Sequence, residues 1–214
     1  MTSTAFAALI GPIGFYPVVH DAAWVKRLLD WGVRTVQLRI KTAGHSAADI
    51  EREVRAAVEA GKQVPGAQVF INDHWPQALA AGAYGVHLGQ EDLDSADLAA
   101  LRSAGLRLGL STHTPFELAR AKAVQPSYLA IGPIYPTTLK VMPYAPVGLV
   151  QLKDWATQAA PYPVVAIGGI SLERLPGVLA CLGGANDGAA VVSAVTLADD
   201  PQQAALEGLR LAAR

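Results

Sequence analysis

Two acidic residues stand just beyond two neighbouring apolar runs, and their position suggests metal chemistry. Asp73 follows VFI at 69–71, and Asp92 follows YGVHL at 84–88. Two converging carboxylates repel each other unless a positive charge lies between them. Mg²⁺ commonly takes one or two protein carboxylates together with substrate phosphate oxygens and water. The alternative is that both acids are helix caps or solvated loop residues, and Asp73 precedes a helical pattern that it can cap.

A second group of polar residues alternates along one predicted strand. Gln37, Arg39 and Lys41 lie two residues apart in VQLRIK. Successive side chains of a strand point to opposite faces, so the three share one face and Leu38 and Ile40 share the other. A buried Arg and Lys need anionic partners, which substrate phosphates can supply. The alternative is an edge strand with one solvated face. A closed barrel has no edge strands, so this alternative requires an open sheet.

Glycine and hydroxyl residues follow the last two predicted strands. Gly168 and Gly169 come after VVAI, and Ser193 comes after AAVV. Glycines let the backbone approach phosphate oxygens closely. The loops after strands seven and eight form a recurrent phosphate site in (β/α)8 barrels. A glycine pair alone can equally be a turn, and its combination with Ser193 favours a phosphate site.

The longest non-periodic stretch, 132–146, carries further polar residues. Its four prolines exclude most regular structure, and long loops in compact domains are often functional. Lys140 in this stretch can bind a phosphate as a point charge. Ser111 and His113 follow the fifth predicted strand, and His113 is either a general base or a hydrogen-bonded structural histidine. His87 lies within a strand and is expected to be structural.

Composition limits the classes of function. The chain has 214 residues, of which 51% are apolar, and this suits one domain over 1–214 with a full core. A net charge of −1 argues against nucleic-acid and anionic-membrane partners. A single cysteine suggests a reducing compartment, and no basic residue precedes Lys26 as a signal peptide requires. We therefore expect a cytoplasmic protein with small-molecule substrates, and a homo-oligomer is compatible with the sequence.

The elements that must position these residues alternate between strand and helix. Eight strands are predicted, near 13–19, 34–40, 67–71, 84–88, 106–110, 127–131, 163–167 and 188–192. Helices are predicted near 21–31, 46–61, 74–81, 94–104, 114–124, 147–159, 171–182 and 200–213. The alternation implies a parallel sheet, and eight units fit a closed (β/α)8 TIM barrel of the α/β class. A doubly wound open sheet is the alternative, but no G-x-G-x-x-G follows the first strand.

Several motifs in this order resemble the thiamin phosphate synthase family. They are QLRIK at 37–41, ND at 72–73, GVHLGQED at 85–92, LSTHT at 110–114, GPIYPT at 132–137, VVAIGGI at 164–170 and VVSAV at 191–195. Together they cover nearly the whole chain. GVHLGQED in combination with IGGI is specific to this family and to its close paralogue, the thiazole tautomerase.

The resemblance implies a reaction and a set of site residues. A thiazole phosphate nitrogen displaces pyrophosphate from 4-amino-5-hydroxymethyl-2-methylpyrimidine diphosphate, which yields thiamin phosphate by dissociative substitution. Asp73 and Asp92 match the acids that hold Mg²⁺. The pyrimidine diphosphate contacts match Gln37, Arg39, Lys41, Asn72, Ser111 and Lys140, among which Arg39, Lys41, Ser111 and Lys140 are assigned catalytic roles. The substrate-binding set also includes His113, Thr137, Thr138, Gly168, Gly169, Val192 and Ser193, of which Thr137, the glycine turn and Val192-Ser193 match the thiazole phosphate contacts.

Three positions depart from the family pattern. Leu139 replaces the second threonine of P-T-x-T-K and removes a hydroxyl expected at the thiazole phosphate, for which Thr138 can compensate if the loop shifts by one residue. Pro76 stands where the family commonly has an acid, and Tyr84 stands where it commonly has Asp.

Two rival functions remain open at this stage. The thiazole tautomerase shares the fold and has a histidine that His113 matches, but it typically lacks the metal acids, so Asp73, Asp92 and the QLRIK trio favour the synthase. A barrel that binds phosphate ligands without turnover is the other rival.

Overall fold

Eight parallel strands close into a barrel in the computed structural model, which describes residues 5–137 and 144–213. Each strand pairs with its neighbours in sequence, and the last pairs with the first. The strands are β1 Gly14–Val19, β2 Thr35–Leu38, β3 Gln68–Asn72, β4 Gly85–Leu88, β5 Arg107–Thr112, β6 Tyr128–Ile131, β7 Val164–Ile167 and β8 Gly188–Val191. The predicted (β/α)8 fold is confirmed, and the open doubly wound sheet is excluded.

Helices follow each strand and surround the barrel. They are α1 Ala22–Asp30, α2 Ala47–Lys62, α3 Trp75–Ala81, α4 Leu98–Ser103, α5 Pro115–Ala123, α6 Gly148–Ala159, α7 Leu175–Leu179, α8 Ser193–Thr196 and α9 Pro201–Ala212. Several of their first turns are capped by side chains. Ser46 forms a capping box with Asp49 at the start of α2, and Thr114 accepts a hydrogen bond from the N–H of Glu117 at the start of α5. Within the described residues, none of the helices has the length and apolar character needed to cross a membrane.

Strand alternation divides the buried side chains between two layers. Leu38 and Ile40 lie in the layer between the sheet and the helices. The lumen holds a smaller cluster that includes Tyr16, Phe70 and Tyr128. The three rings pack at tilted or edge-to-face angles with centroids 5.1–6.2 Å apart, an arrangement that suits the ring quadrupoles. The lumen is therefore a packed core, and chemistry is confined to the barrel ends.

A strap of residues 5–13, N-terminal to β1, covers the end of the barrel where the strands begin. Its backbone carbonyls accept hydrogen bonds from Arg107, Ser127 and Gln68, and the backbone N–H of Ile10 donates to the Tyr84 hydroxyl. These bonds satisfy backbone groups of the strap that would otherwise be unpaired against the barrel.

Three predicted elements, one strand and two helices, are clearly shorter in the structure than expected. Strand β2 ends at Leu38, although the N–H of Arg39 still bonds to the carbonyl of Val19 at 2.7 Å, because β1 itself ends at Val19. The helix predicted over 171–182 shortens to α7, where Pro176 occupies the first turn, the position that proline favours.

Helix α4 is also shorter than predicted. The residues before it form the separate 3₁₀ turn Asp92–Asp94. Helix α8 was not predicted, because a single turn has no readable period.

Candidate active site

Asp73 and Asp92 lie beyond β3 and β4, at the end of the barrel where parallel strands place active sites. Asp73 has φ of 59°, in the left-handed region. Its N–H donates to the carbonyl of His87 at 3.0 Å, and its own carbonyl accepts from the N–H of Trp75 at 2.7 Å. These bonds hold a backbone conformation that non-glycine residues rarely adopt and that is often retained at functional sites.

The two acids interact electrostatically. The pKa of Asp73 is raised, first because surrounding protein atoms desolvate its carboxylate and second because the negative charge of Asp92 lies nearby. Arg39 is the largest opposing influence, followed by a hydrogen bond from Asn72. Asp73 is exposed at the rim, but neighbouring protein atoms still displace part of the water around its carboxylate. A cation placed here relieves the repulsion between the acids.

The oxygen ligands at this rim suit a hard cation. Asp92 is half-buried, and its Oδ2 accepts a hydrogen bond from the N–H of Gly89 at 3.0 Å, which fixes the carboxylate. Among residues 5–137 and 144–213, no group of three or more His, Cys, Asp and Glu side chains forms a complete metal cage. Two carboxylates without further protein ligands match the way Mg²⁺ is held jointly by protein and substrate phosphates.

The polar trio of β2 is divided by the end of the strand. Gln37 is 2% exposed in the lumen, where its Nε2 donates to the Tyr16 hydroxyl at 3.1 Å. Arg39 is half-buried just beyond the strand and close enough to Asp73 to influence its pKa. Lys41 is exposed. The prediction that all three share the strand is wrong for Arg39 and Lys41. Gln37 nevertheless lies in the lumen, and Arg39 lies near Asp73.

Ser111 lies at the end of β5 and joins a chain of buried side chains. Its Oγ lies 2.8 Å from His87 Nε2, and His87 Nδ1 lies 2.7 Å from the Tyr128 hydroxyl. Tyr128 in turn lies 3.0 Å from the Tyr16 hydroxyl, which bonds to Gln37. Tyr16 and Tyr128 were not predicted as part of the site. The alternation of side chains along β1 and β6, which places each tyrosine ring on the lumen face of its strand, could have identified them.

His113 is held by a carboxylate and an aromatic ring. Its Nδ1 lies 2.8 Å from Glu117 Oε2, and its backbone N–H donates to the same oxygen at 2.6 Å. The Tyr144 ring stacks on the imidazole with centroids 4.7 Å apart, and the Tyr144 hydroxyl donates to Glu117 Oε1 at 3.0 Å. A carboxylate bonded to the imidazole is compatible with both expectations for His113, the general base and the hydrogen-bonded structural histidine. Neither Glu117 nor Tyr144 was foreseen as a partner of His113. Glu117 lies four positions further along the chain, in the first turn of α5, and Tyr144 lies in the long connection between β6 and α6.

The glycine turn after β7 packs against the connection that follows β6. Gly168 and Gly169 have φ of 102° and 65°. A Cβ atom at Gly168 would lie 2.7 Å from Pro133, and one at Gly169 would lie 2.6 Å from the carbonyl oxygen of Pro136. The carbonyl of Gly168 also accepts a hydrogen bond from the N–H of Tyr135 at 3.0 Å. Packing alone thus requires both glycines, whether or not the turn also binds phosphate.

The remaining predicted residues lie around the same rim. Ser193 begins the short helix α8 directly after β8, Val192 precedes it, and Thr137 is half-buried after β6. Thr138 and Lys140, together with the departure at Leu139, lie outside the described residues.

The structure brings two groups of predicted residues close together. One joins Arg39, Asn72, Asp73 and Asp92. The other joins Gln37 to Ser111 through the lumen chain. Neither group includes Lys41 or Ser193.

The sequence of the chain is similar to those of known proteins. The family model described as thiamine monophosphate synthase matches residues 15–195. The chain is 52% identical over 211 residues to a thiamine-phosphate synthase of Yersinia pestis, covering 99% of this chain and 95% of that protein. It is also 52% identical to a thiamine-phosphate synthase of Serratia proteamaculans, covering 98% and 96%.

A solved structure gives the same result. A thiamine phosphate pyrophosphorylase from Pyrococcus furiosus superposes with a TM-score of 0.78 at 29% identity, covering 94% of this chain and 95% of that chain. The matched segment of the family model runs from β1 into α8 and includes every described residue of the rim. The chain belongs to the thiamine monophosphate synthase family.

Proposed function

We propose that the chain, a transferase of thiamine biosynthesis by family, joins 4-amino-5-hydroxymethyl-2-methylpyrimidine diphosphate to thiazole phosphate and releases pyrophosphate. The bond between the pyrimidine methylene carbon and the diphosphate oxygen breaks, and the thiazole nitrogen forms a bond to that carbon. The aminopyrimidine ring can stabilise a cationic methylene, so no protein nucleophile is required. What the protein must supply is charge stabilisation for the diphosphate and positioning of the two substrates.

One observation supports the proposal independently of family membership. Asp73 and Asp92 are close enough for the charge of one to raise the pKa of the other, and Arg39 is the main positive influence on Asp73. Two acids and a cation at the open end of a barrel form a site for a metal bound to a phosphate ligand. The pair of acids does not itself stabilise the fold, because without a bound cation the repulsion between the two carboxylates costs free energy.

Mg²⁺ is the cation that we propose for this site. Asp73 and Asp92 would hold it, and it would neutralise charge on the departing diphosphate. Asn72 supports this assignment because its hydrogen bond to Asp73 favours the charged carboxylate.

The diphosphate is proposed to contact the residues around these acids. Arg39 is half-buried beside Asp73, so its guanidinium can balance both the carboxylate and a bound phosphate. Lys41 is exposed at the rim and can approach only as a flexible point charge. We retain the catalytic assignments of Arg39, Lys41, Ser111 and, outside the described residues, Lys140. Each opposite charge can contribute on the order of 4 kcal/mol at an effective dielectric near 20, before desolvation costs.

The thiazole phosphate is proposed to lie on the opposite side of the mouth. Short helix α8 directly follows β8, and the glycine turn follows β7. A short extra helix after the eighth strand is the usual phosphate site of this fold. Gly168, Gly169, Val192 and Ser193 are therefore retained as thiazole phosphate contacts, together with Thr137 and the undescribed Thr138. His113 is retained as a substrate-binding residue of the neighbouring rim.

A cytoplasmic location and a single-domain chain remain predictions of the sequence. The single cysteine, Cys181, supports the first. A homo-oligomer also remains compatible with the sequence.

A direct assay tests the proposed function. The purified protein is mixed with both substrates and Mg²⁺, and thiamin phosphate is followed after oxidation to its fluorescent thiochrome form. We expect product only when both substrates are present, and loss of product when EDTA is added and recovery when excess Mg²⁺ follows. Absence of product with both substrates verified as intact would contradict the proposal.

A further inference from the structure

A chain of polar side chains in the lumen connects Gln37 to Ser111, and its inner members Tyr16, Tyr128 and His87 have no role in the proposed function. It runs from Gln37 on β2 through Tyr16 on β1, Tyr128 on β6 and His87 on β4 to Ser111 on β5. Its first four members are 0–4% exposed, so water cannot easily replace a lost partner. Such networks are stabilising only when every donor meets an acceptor. The direction of each hydrogen bond therefore matters.

The direction follows from counting hydrogens, beginning at Gln37. An amide nitrogen can only donate, so the Tyr16 oxygen accepts from it. Tyr16 then has one hydrogen, which it donates to the Tyr128 oxygen. Tyr128 likewise donates its single hydrogen to His87 Nδ1.

The hydrogen bonds keep the same direction from His87 to Ser111. Because Nδ1 accepts a hydrogen bond, a neutral imidazole carries its proton on Nε2. Nε2–H then donates to Ser111 Oγ. The Ser111 oxygen receives a hydrogen bond from inside the barrel, and its own hydrogen is available for an acceptor at the mouth, where Ser111 is half-buried.

We propose that Tyr16, Tyr128 and His87 are positioning residues that hold the Ser111 hydroxyl as a hydrogen-bond donor toward an anionic oxygen of the bound diphosphate. The proposal rests on the proposed function, since it concerns the substrate contact of Ser111. It adds residues and a direction to that contact. A donor held in place before the substrate arrives costs no reorganisation when negative charge develops on the leaving group.

Two other arrangements of hydrogens are distinguishable from this one. Rotating the Gln37 amide by half a turn reverses every bond, which places the His87 proton on Nδ1 and turns the Ser111 hydroxyl inward. A doubly protonated His87 would donate to Tyr128, and Tyr128 to Tyr16. Unless the Gln37 amide is rotated as well, the Tyr16 hydrogen would then lack an acceptor among the described residues, because the Tyr16 oxygen bonds there only to Gln37 and Tyr128. The position of the His87 proton therefore decides between the three.

The first test locates this proton without any measurement of activity. Protein labelled with ¹⁵N-histidine is examined by long-range ¹H–¹⁵N correlation spectra near neutral pH, and the His87 signals are assigned by their loss in His87→Gln. We expect the neutral tautomer with the proton on Nε2. A proton on Nδ1, or on both nitrogens, would overturn the proposal.

The second test asks whether Tyr128 acts through Ser111. We expect Tyr128→Phe to lower kcat/KM for the pyrimidine diphosphate about tenfold, the effect of about one hydrogen bond to a charged group. In a Ser111→Ala background the same change should have no further effect, because the donor that it positions is gone. Equal losses in both backgrounds would show that Tyr128 acts independently of Ser111 and would reject the proposal.

A matched control comes from the other end of the barrel. The Tyr84 hydroxyl donates to Gln68 Oε1 at 2.7 Å, a bond as short as that between Tyr128 and His87. Tyr84→Phe should leave kcat/KM unchanged, and a loss equal to that of Tyr128→Phe would indicate a general effect of removing a hydroxyl and count against the proposal. Failure of the proposed function is separable from failure of this inference. A protein without synthase activity can still show the predicted His87 tautomer, and an active protein with the opposite tautomer would reject the inference alone.

Discussion

Asp73 shows at the scale of a single residue how function overrides local preference. Its left-handed backbone, with φ of 59°, costs about 1–3 kcal/mol for a non-glycine residue. Its carboxylate also faces the charge of Asp92. Both features oppose folding, and glycine would remove both. A carboxylate at this position is therefore explained by what it binds.

The two lumen tyrosines predict how stability depends on alkaline pH. Burial raises the pKa of Tyr16 and outweighs the hydrogen bonds with Gln37 and Tyr128 that lower it. Burial also raises the pKa of Tyr128, to which the neighbouring Tyr16 contributes. An unfolded chain loses these protons near pH 10 while the folded chain keeps them. The free energy of unfolding should therefore be unaffected by these groups below pH 10 and should fall as pH rises above it.

Urea unfolding between pH 8 and pH 11 measures this effect. The unfolding midpoint of the wild-type protein should fall above about pH 10, and the fall should be shallower in Tyr128→Phe. A Tyr128→Phe curve parallel to that of the wild type would show that the pKa of Tyr128 is not raised in the folded state.

At the scale of elements, the strap of residues 5–13 can be tested apart from the active site. Ser127 Oγ donates to the carbonyl of Ala7 at 2.6 Å and accepts from the N–H of Leu108 at 2.9 Å, so it joins the strap to β5. Ser127→Ala should lower the free energy of unfolding by about 1–3 kcal/mol, because it leaves a buried N–H and a carbonyl without their partner. Turnover should not change, since the strap lies at the opposite end of the barrel.

Thr157→Ala is the matched control for this change. The Thr157 hydroxyl donates to the carbonyl of Lys153 at 3.0 Å on the exposed face of α6, and its loss should change stability by at most about 0.5 kcal/mol. Equal effects of the two substitutions in chemical denaturation would mean that the strap contributes nothing beyond an ordinary surface hydroxyl.

The elements were largely predictable from sequence, whereas the contacts between them were not. Short apolar runs located each strand of the barrel, and the longer segments between them located every described helix except α8. The early end of β2 was not readable, because it depends on the length of its partner β1.

The candidate site divides in the same way. The acids at 73 and 92 were found because each follows a strand. The pairs His113–Glu117 and His87–Tyr128 were not foreseen. The first depends on how the chain turns from β5 into α5, and the second depends on the spacing of β4 and β6 across the lumen.

At the scale of the whole molecule, the two ends of the barrel have different roles. The end where strands begin is closed by the strap through bonds to Arg107, Ser127 and Tyr84. The end where strands finish holds the acids, the cation Arg39 and the outlet of the lumen chain at Ser111. A packed lumen joins the two ends, so substitutions at the closed end should affect stability and those at the open end should affect catalysis.

The most direct test of the account compares two neighbouring acids. Asp92 is proposed to hold Mg²⁺, whereas Asp94, two residues further on, forms an exposed ion pair with Arg120 at 2.6 Å. Pyrophosphate release is measured against Mg²⁺ concentration for Asp92→Asn and Asp94→Asn. We expect Asp92→Asn to lose turnover by about 10²–10³-fold, the usual effect of removing one group that stabilises transition-state charge, and to need more Mg²⁺ for what remains, while Asp94→Asn behaves as wild type. Wild-type turnover of Asp92→Asn at unchanged Mg²⁺ concentration would contradict the central claim that the paired acids hold the metal on the departing diphosphate.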